Sequence, residues 1–243
     1  MSDIEPAITI GGVPIPDDVE QHHVLLLGAP GTGKTVAVKE LLCAIRRRGE
    51  GAVIYDPFSA LARDLYNPER DVVINLDVDV IISPLDAAVT AEIDVNDLAG
   101  RFVFLVRDPG QDPGQVCGAN LIERVVAHQA QTAGQKVWLV LDELPYDLPA
   151  ATIEAALAED SAITVIAAAQ FRGQLAAHGY EALWATPRTR LVLCIRDPET
   201  ADLTSRELGV EPGDLMALPP LSGYLILRMS NGYCLKTDVR LEM

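Results

Sequence analysis

The stretch from His22 to Leu42, HHVLLLGAPGTGKTVAVKELL, constrains the fold more than any other part of the chain. An apolar run, Val24 to Leu27, breaks into a Gly- and Pro-rich loop, and the loop passes into a segment with Val38, Leu41, Leu42 and Ile45 at helical spacing. A buried strand, a tight loop and an amphipathic helix in immediate succession are the context a phosphate-binding loop requires. Within it, Gly28-Ala29-Pro30-Gly31-Thr32-Gly33-Lys34-Thr35 fits G-x-x-x-x-G-K-[ST]. Gly31 and Gly33 let the backbone wrap a phosphate closely, and the amides from Gly31 through Thr35 are expected to face it at a helix N-terminus. Pro30 has no N–H to offer, so the cradle comes from the residues after it. Lys34 is expected to reach the β- and γ-phosphates of a nucleotide, and the Thr35 hydroxyl to ligate Mg2+.

Such a site needs a carboxylate at the end of a second buried strand. KVWLVLDELP supplies Asp142 after five apolar residues, with Glu143 next. Asp142 suits the Mg2+ shell, and Glu143 is placed to orient and deprotonate a water, which makes the chain a hydrolase. The next apolar strand, AITVIAAAQ, ends at Gln170, whose amide could sense the γ-phosphate or its water.

The same alternation runs through the chain. GAVIYDP reads as a strand ending at Asp56, FSALARDLY as a short helix, and RDVVINLD and RFVFLVRD as strands. Helices are expected from about Gln115 to Thr132, near Ala151–Ala158 and from Pro198 to Leu208, the last after the strand TRLVLCIRD. Nearly all-apolar strands separated by amphipathic helices predict an α/β fold, a mostly parallel central sheet with helices on both faces. The two ends, AITIGGVPIP and GYLILRMSNGYCLKTDVRL, read as β-hairpins, the second with an Asn231-Gly232 turn. Arg46 to Arg48, before Gly49, read as charge complementing a helix C-terminus rather than as a DNA patch.

A chain of 243 residues, 49% of them hydrophobic, closes one sizeable core, so a single domain over residues 1–243 is expected. Its apolar runs are too short to cross a bilayer and MSDIEPAITI lacks the basic start of a signal peptide, which predicts a soluble, cytoplasmic protein without an integral membrane segment. Cys43, Cys117, Cys194 and Cys234 lie far apart beside apolar or small residues and read as buried, reduced thiols. A formal charge of −16 argues against loose coating of DNA, since affinity from phosphate neutralisation needs Lys and Arg. Basic residues do gather locally: from Phe171 to Arg196 there are four Arg against Glu181 alone.

Taken in order, ITIGGVPIP, GAPGTGKT, RRRGEGAVIYDP, LYNPERDVVINLD, PLDA, VWLVLDEL, QFRGQLAAHGYEAL, RDPETADLTSRELG and GYLIL resemble the motor domain of type IV secretion and conjugation coupling proteins, ATPases of the FtsK/HerA superfamily. The resemblance runs from about Ile8 to Leu241. It implies a RecA-like P-loop fold, ATP and Mg2+ as ligands, a homo-oligomer that is a hexamer, and DNA as the partner, moved by ATP hydrolysis. Lys34, Thr35, Asp142, Glu143 and Gln170 fall on the family's functional positions. The chain departs from the family in having no N-terminal transmembrane segment and only about Ala87–Gly100 where a large helical domain is inserted. It also reads AEDSA, Ala158 to Ala162, where a basic GRK is usual, so an arginine acting on a neighbour's nucleotide would come from Arg172, Arg188, Arg190 or Arg196. A viral genome-packaging ATPase of the same superfamily and a non-motor nucleotide switch remain as alternatives, and secretion or packaging machinery as further partners.

Overall fold

The computed structural model describes residues 7–75, 80–82, 98–106, 118–131, 136–145 and 148–242. The chain begins with β1 (Thr9–Ile10), β2 (Val13–Pro14) and α1 (Asp17–Glu20), then β3 (Val24–Leu27), α2 (Lys34–Arg47) and β4 (Gly51–Tyr55). Next come α3 (Ala60–Leu65), β5 (Val72–Asn75), β6 (Val80–Ile82), β7 (Phe102–Val106), α4 (Gly118–Gln131), β8 (Val137–Leu141) and α5 (Ala150–Ala156). The last part holds β9 (Ile163–Ala169), α6 (Arg172–Ala177), α7 (Ala182–Ala185), β10 (Thr189–Val192), α8 (Pro198–Leu208), α9 (Pro212–Met216), β11 (Ser222–Arg228) and β12 (Cys234–Arg240). It is the α/β alternation expected. Most of the segment from Ala87 to Gly100 lies outside the described residues, as do Cys117 and the first residues of the helix expected from Gln115.

The chain divides into two compact units, Met1–Ala44 with Ile166–Met243, and Ile45–Val165. In the first, the strand order is β12-β11-β10-β3-β9. β3 lies parallel to β10 on one side and β9 on the other, with Leu27 opposite Val192 and Ala169. Every residue of β3, β9 and β10 is buried, so both faces of these strands are covered, which is why β3 reads as an unbroken apolar run and β9 as one interrupted only by Thr164. β11 is antiparallel to β10, and β12 to β11, across the Asn231-Gly232 turn, where the Gly232 amide donates to the Met229 carbonyl at 3.1 Å. At the other end of the sequence, Glu40 of α2 holds the β1–β2 turn: its carboxylate accepts from the Thr9 hydroxyl at 2.7 Å and the Gly11 amide at 2.8 Å. α8 begins where Asp197 accepts from the Thr200 amide at 2.8 Å with Pro198 in the first turn, and it stops at Gly209.

In the second unit the order is β8-β4-β7-β5-β6. β4 is parallel to β8 and β7, β5 is parallel to β7, and only β6 runs antiparallel. β6, inside an acidic stretch, was not foreseen. α2 closes at Gly49, the amides of Gly49 and Glu50 donating to the carbonyls of Arg46 and Ile45 at 3.1 and 3.2 Å. Arg46 does more than complement that helix end: it pairs with buried Asp71 at 2.7 Å and lies 4.1 Å over the Phe102 ring. The cysteine expectation needs correction. Cys194 is buried, but Cys43 and Cys234 are exposed, the first on the solvent side of α2 and the second at the start of the outer strand β12, whose residues alternate in exposure.

Candidate functional site

Of the eight expected ligand residues, Gly28 through Gly33 form the connection from β3 to α2, and Lys34 and Thr35 open α2, in the first unit. The sheet ladder continues into this loop. The Gly28 amide donates to the Ala169 carbonyl at 3.1 Å and the Ala29 amide to the Cys194 carbonyl at 2.7 Å, so both flanking strands hold its entrance. A Cβ on Gly28 would stand 2.7 Å from the Thr32 hydroxyl and 2.8 Å from the Leu193 Cβ, so only glycine fits. Thr32 ties the loop across itself, its hydroxyl donating to the Ala29 carbonyl at 2.8 Å. Gly33, at φ 118, turns the chain into α2. The Lys34 ammonium lies over the loop, donating to the carbonyls of Gly28 at 2.6 Å and Ala29 at 3.2 Å. An α-helix has no carbonyls of its own to offer its first-turn amides, so a loop that leads into a helix start beside an ammonium suits an anion.

Gln170 follows β9 in the same unit, one residue past the Ala169 that bonds Gly28. Its amide donates to the Gln174 side chain at 2.8 Å, which fixes the turn into α6. Two of the candidate arginines flank this end of the sheet. Arg172 is tied through its amide to the Thr200 hydroxyl at 3.0 Å, and its half-exposed guanidinium faces Glu199 at 3.8 Å. Arg196 is exposed two residues after Cys194, the partner of Ala29.

Arg190 is occupied elsewhere. It is 2% exposed, donates to Glu207 and to the Trp184 carbonyl at 2.5 Å each, and lies 4.7 Å over the Trp184 ring. Burial pulls its guanidinium down from its ordinary value while Glu207 opposes this, and an arginine stays charged throughout. Glu207 also pairs with Arg228. Arg190→Ala is therefore expected to cost about 3–5 kcal/mol of stability, toward the lower end because Arg228 still faces Glu207. Chemical denaturation of the variant checks this.

In the second unit, Asp142 and Glu143 follow directly on β8. Asp142 is buried, and its amide donates to the Tyr55 carbonyl of β4 at 3.2 Å; Glu143 is partly exposed. Asp56, at the corresponding end of β4, was not singled out as functional. Its buried carboxylate accepts from the amides of Ala60, Leu61 and Ala62 at 2.8 to 2.9 Å and so anchors α3. Burial pushes that carboxyl up, and the three amides offset only part of the rise. Sequence reading also passed over Leu221, whose amide donates to the Thr32 carbonyl at 2.9 Å. The Pro219-Pro220 pair before it marks a turn, and nothing in the sequence ties that turn to the loop.

A family model for the type IV secretion-system coupling protein DNA-binding domain matches residues 7–109 and 117–218. Coupling protein TraD of Escherichia coli (strain K12) is 34% identical over 84 residues, which are 35% of this chain and 11% of TraD, so the chain spans about a tenth of that relative. Among solved structures, plasmid coupling protein TrwB in complex with ADP and Mg2+ is similar with a TM-score of 0.81 at 18% identity, over 99% of this chain and 91% of that one. The genome packaging NTPase B204 from Sulfolobus turreted icosahedral virus 2, in complex with AMPPCP, has a TM-score of 0.54 at 14% identity, over 91% of this chain and 100% of that one. Both likenesses are of fold, a mostly parallel α/β sheet. No helix among the described residues is long and apolar enough to cross a membrane. Because the family model covers both units and takes in the phosphate-type loop, Asp142, Glu143 and Gln170, the chain belongs to the type IV secretion-system coupling protein DNA-binding domain family.

Proposed function

We propose that the chain is a single RecA-like motor domain that hydrolyses ATP and uses the energy to move DNA in conjugative transfer. It acts in the cytoplasm as a homo-oligomer, with six copies as the expected assembly, alongside secretion machinery. The observation that carries this reading is the family match across residues 7–109 and 117–218, which include the loop held by Ala169 and Cys194. TrwB, whose fold the chain shares, was solved with ADP and Mg2+, which supports the same ligands here.

The residues present fit them. The loop is closed against any side chain at Gly28 and carries an ammonium over its mouth, as a polyphosphate requires. Thr35 and Asp142 offer hard oxygen donors of the kind Mg2+ takes, and among the described residues no cluster of three or more His, Cys, Asp or Glu offers a rival metal site. When bound, Mg2+ neutralises charge on the β- and γ-phosphates. Lys34 would bind those phosphates, Thr35 and Asp142 would offer oxygens to the ion, Glu143 would take the proton of the attacking water and Gln170 would orient that water.

DNA contact in a chain of charge −16 falls to local basic surface, and the stretch from Phe171 to Arg196 is where it is sought. The expected result is ATP turnover that rises on adding single- or double-stranded DNA, with the rise weakening as salt increases. Turnover indifferent to both DNA forms would favour a nucleotide switch that moves nothing. Genome packaging is the second reading, motivated by coverage of 100% of the viral NTPase and set second by a TM-score of 0.54 against 0.81 for TrwB.

A further inference from the structure

Leu221 adopts φ 64, a left-handed backbone that residues with a Cβ adopt at a cost. It stands third in a turn from Pro219 to Ser222, closed by the Ser222 amide donating to the Pro219 carbonyl at 3.2 Å. With φ > 0 at that position, Gly or Asn is the usual occupant. A leucine there carries strain that its own contacts must offset, and strain of this kind gathers at functional sites.

Two of those contacts bear on the phosphate-type loop, and a third ties the turn to Leu241. The Leu221 amide donates to the Thr32 carbonyl at 2.9 Å, and its carbonyl accepts from the Leu241 amide at 2.8 Å. Its side chain covers Gly33: the Leu221 Cδ2 is 2.9 Å, and the Leu241 Cδ1 3.2 Å, from where a Cβ on Gly33 would stand. The two effects act on one peptide. In a trans peptide the carbonyl and the following N–H point to opposite sides, so a Thr32 carbonyl drawn toward Leu221 sends the Gly33 N–H the other way. Gly33, at φ 118, lacks the side chain that would otherwise restrict rotation of this peptide. A flip would turn a carbonyl oxygen where an amide had been, and an oxygen repels phosphate while successive amides attract it.

We propose that Leu221 is a positioning residue for nucleotide binding: its amide and side chain lock the Thr32–Gly33 peptide with the Gly33 N–H toward the polyphosphate. The proposal rests on the reading of the loop as a nucleotide site. Leu221→Gly keeps the turn, relieves the strain and removes the side chain, whereas Leu221→Met keeps an apolar cover. Leu218→Ala serves as a packing control, because Leu218 packs against a separate cluster of Val192, Ile195, Ala201, Leu215 and Ile226.

The experiment titrates each protein with N-methylanthraniloyl-ADP and Mg2+ well below its melting temperature, and follows hydrogen exchange of the residue 221 amide, which donates to the Thr32 carbonyl, without nucleotide. Leu221→Gly is expected to weaken binding about tenfold and to lower the protection of the residue 221 amide, with Leu221→Met within about twofold of wild-type affinity. Leu218→Ala should lower the melting temperature and leave affinity unchanged. Wild-type affinity in Leu221→Gly, or an equal loss in Leu218→Ala, would overturn the positioning role while leaving the nucleotide site intact. No binding by the wild-type protein would overturn the nucleotide reading itself, and the proposal with it.

Discussion

Glu143→Gln is expected to keep Mg2+·ATP binding and to lower turnover by about 10²–10⁴-fold, the range for loss of a positioned general base. Glutamine preserves the shape of the side chain and can still hydrogen-bond a water, but it cannot take the proton. Glu143 suits the role by its partial exposure, next to an Asp142 that is buried and fixed through its amide to Tyr55. A water can reach the first, and an ion is better held by the second. Lys34→Ala should instead weaken binding and turnover together, because it removes the ammonium that now lies over the carbonyls of Gly28 and Ala29. Nucleotide binding and single-turnover hydrolysis, measured on both variants, separate the roles. Undiminished hydrolysis in Glu143→Gln would take Glu143 out of the reaction.

Hydrolysis is further expected to need a second copy of the chain. A loose phosphoryl-transfer transition state gains about 10³–10⁵ in rate from an arginine supplied across an interface. Ala158 to Ala162 offers none. Of the four candidate arginines, Arg172, Arg188, Arg190 and Arg196, the geometry of the first unit separates two pairs. Arg188 and Arg190 sit at the start of β10, where Thr189 and Arg190 pair with Val24 and Leu25, the end of β3 away from the loop. Arg190 is buried against Glu207 besides. Arg172 and Arg196 instead follow the exits of β9 and β10, at the end where the loop begins. The expected result is specific activity that rises with protein concentration, and a loss of that order in Arg172→Ala or Arg196→Ala but not in Arg188→Ala. Constant specific activity with both substitutions silent would defeat the idea and favour a slow switch.

Much of the fold around the candidate site was legible because local chemistry and global fold agree there. Val24 to Leu27 is apolar at every position since β3 is covered on both faces, and Gly28 and Gly33 stand where a Cβ would collide. Asp197, Pro198 and Gly209 are start and stop signals that act within a few residues, and α8 spans Pro198–Leu208 as read. What escaped reading depends on distant partners. Arg190 lies in a wholly buried strand, and only the arrival of Glu207, Trp184 and Arg228 shows why it is buried there. Leu221 looks like an ordinary residue after two prolines until the fold sets it against Thr32. α6, α7 and α9 hold six, four and five residues, too few to display a helical period.

The division of the chain also has a consequence for how the protein is made. The unit that holds the phosphate-type loop is assembled from Met1–Ala44 and Ile166–Met243, whereas the other is the uninterrupted run Ile45–Val165. During synthesis β3 emerges early and then waits for β9, for β10 and finally for Leu221, whose amide caps the Thr32 carbonyl. Contacts this far apart in sequence form slowly, and a contiguous unit has the head start on the ribosome. A nascent chain therefore carries a bare, fully apolar β3 until β9 and β10 are made, and a release of synthesis before residue 221 leaves a polypeptide with the complete G-x-x-x-x-G-K-T motif but no lock on its loop.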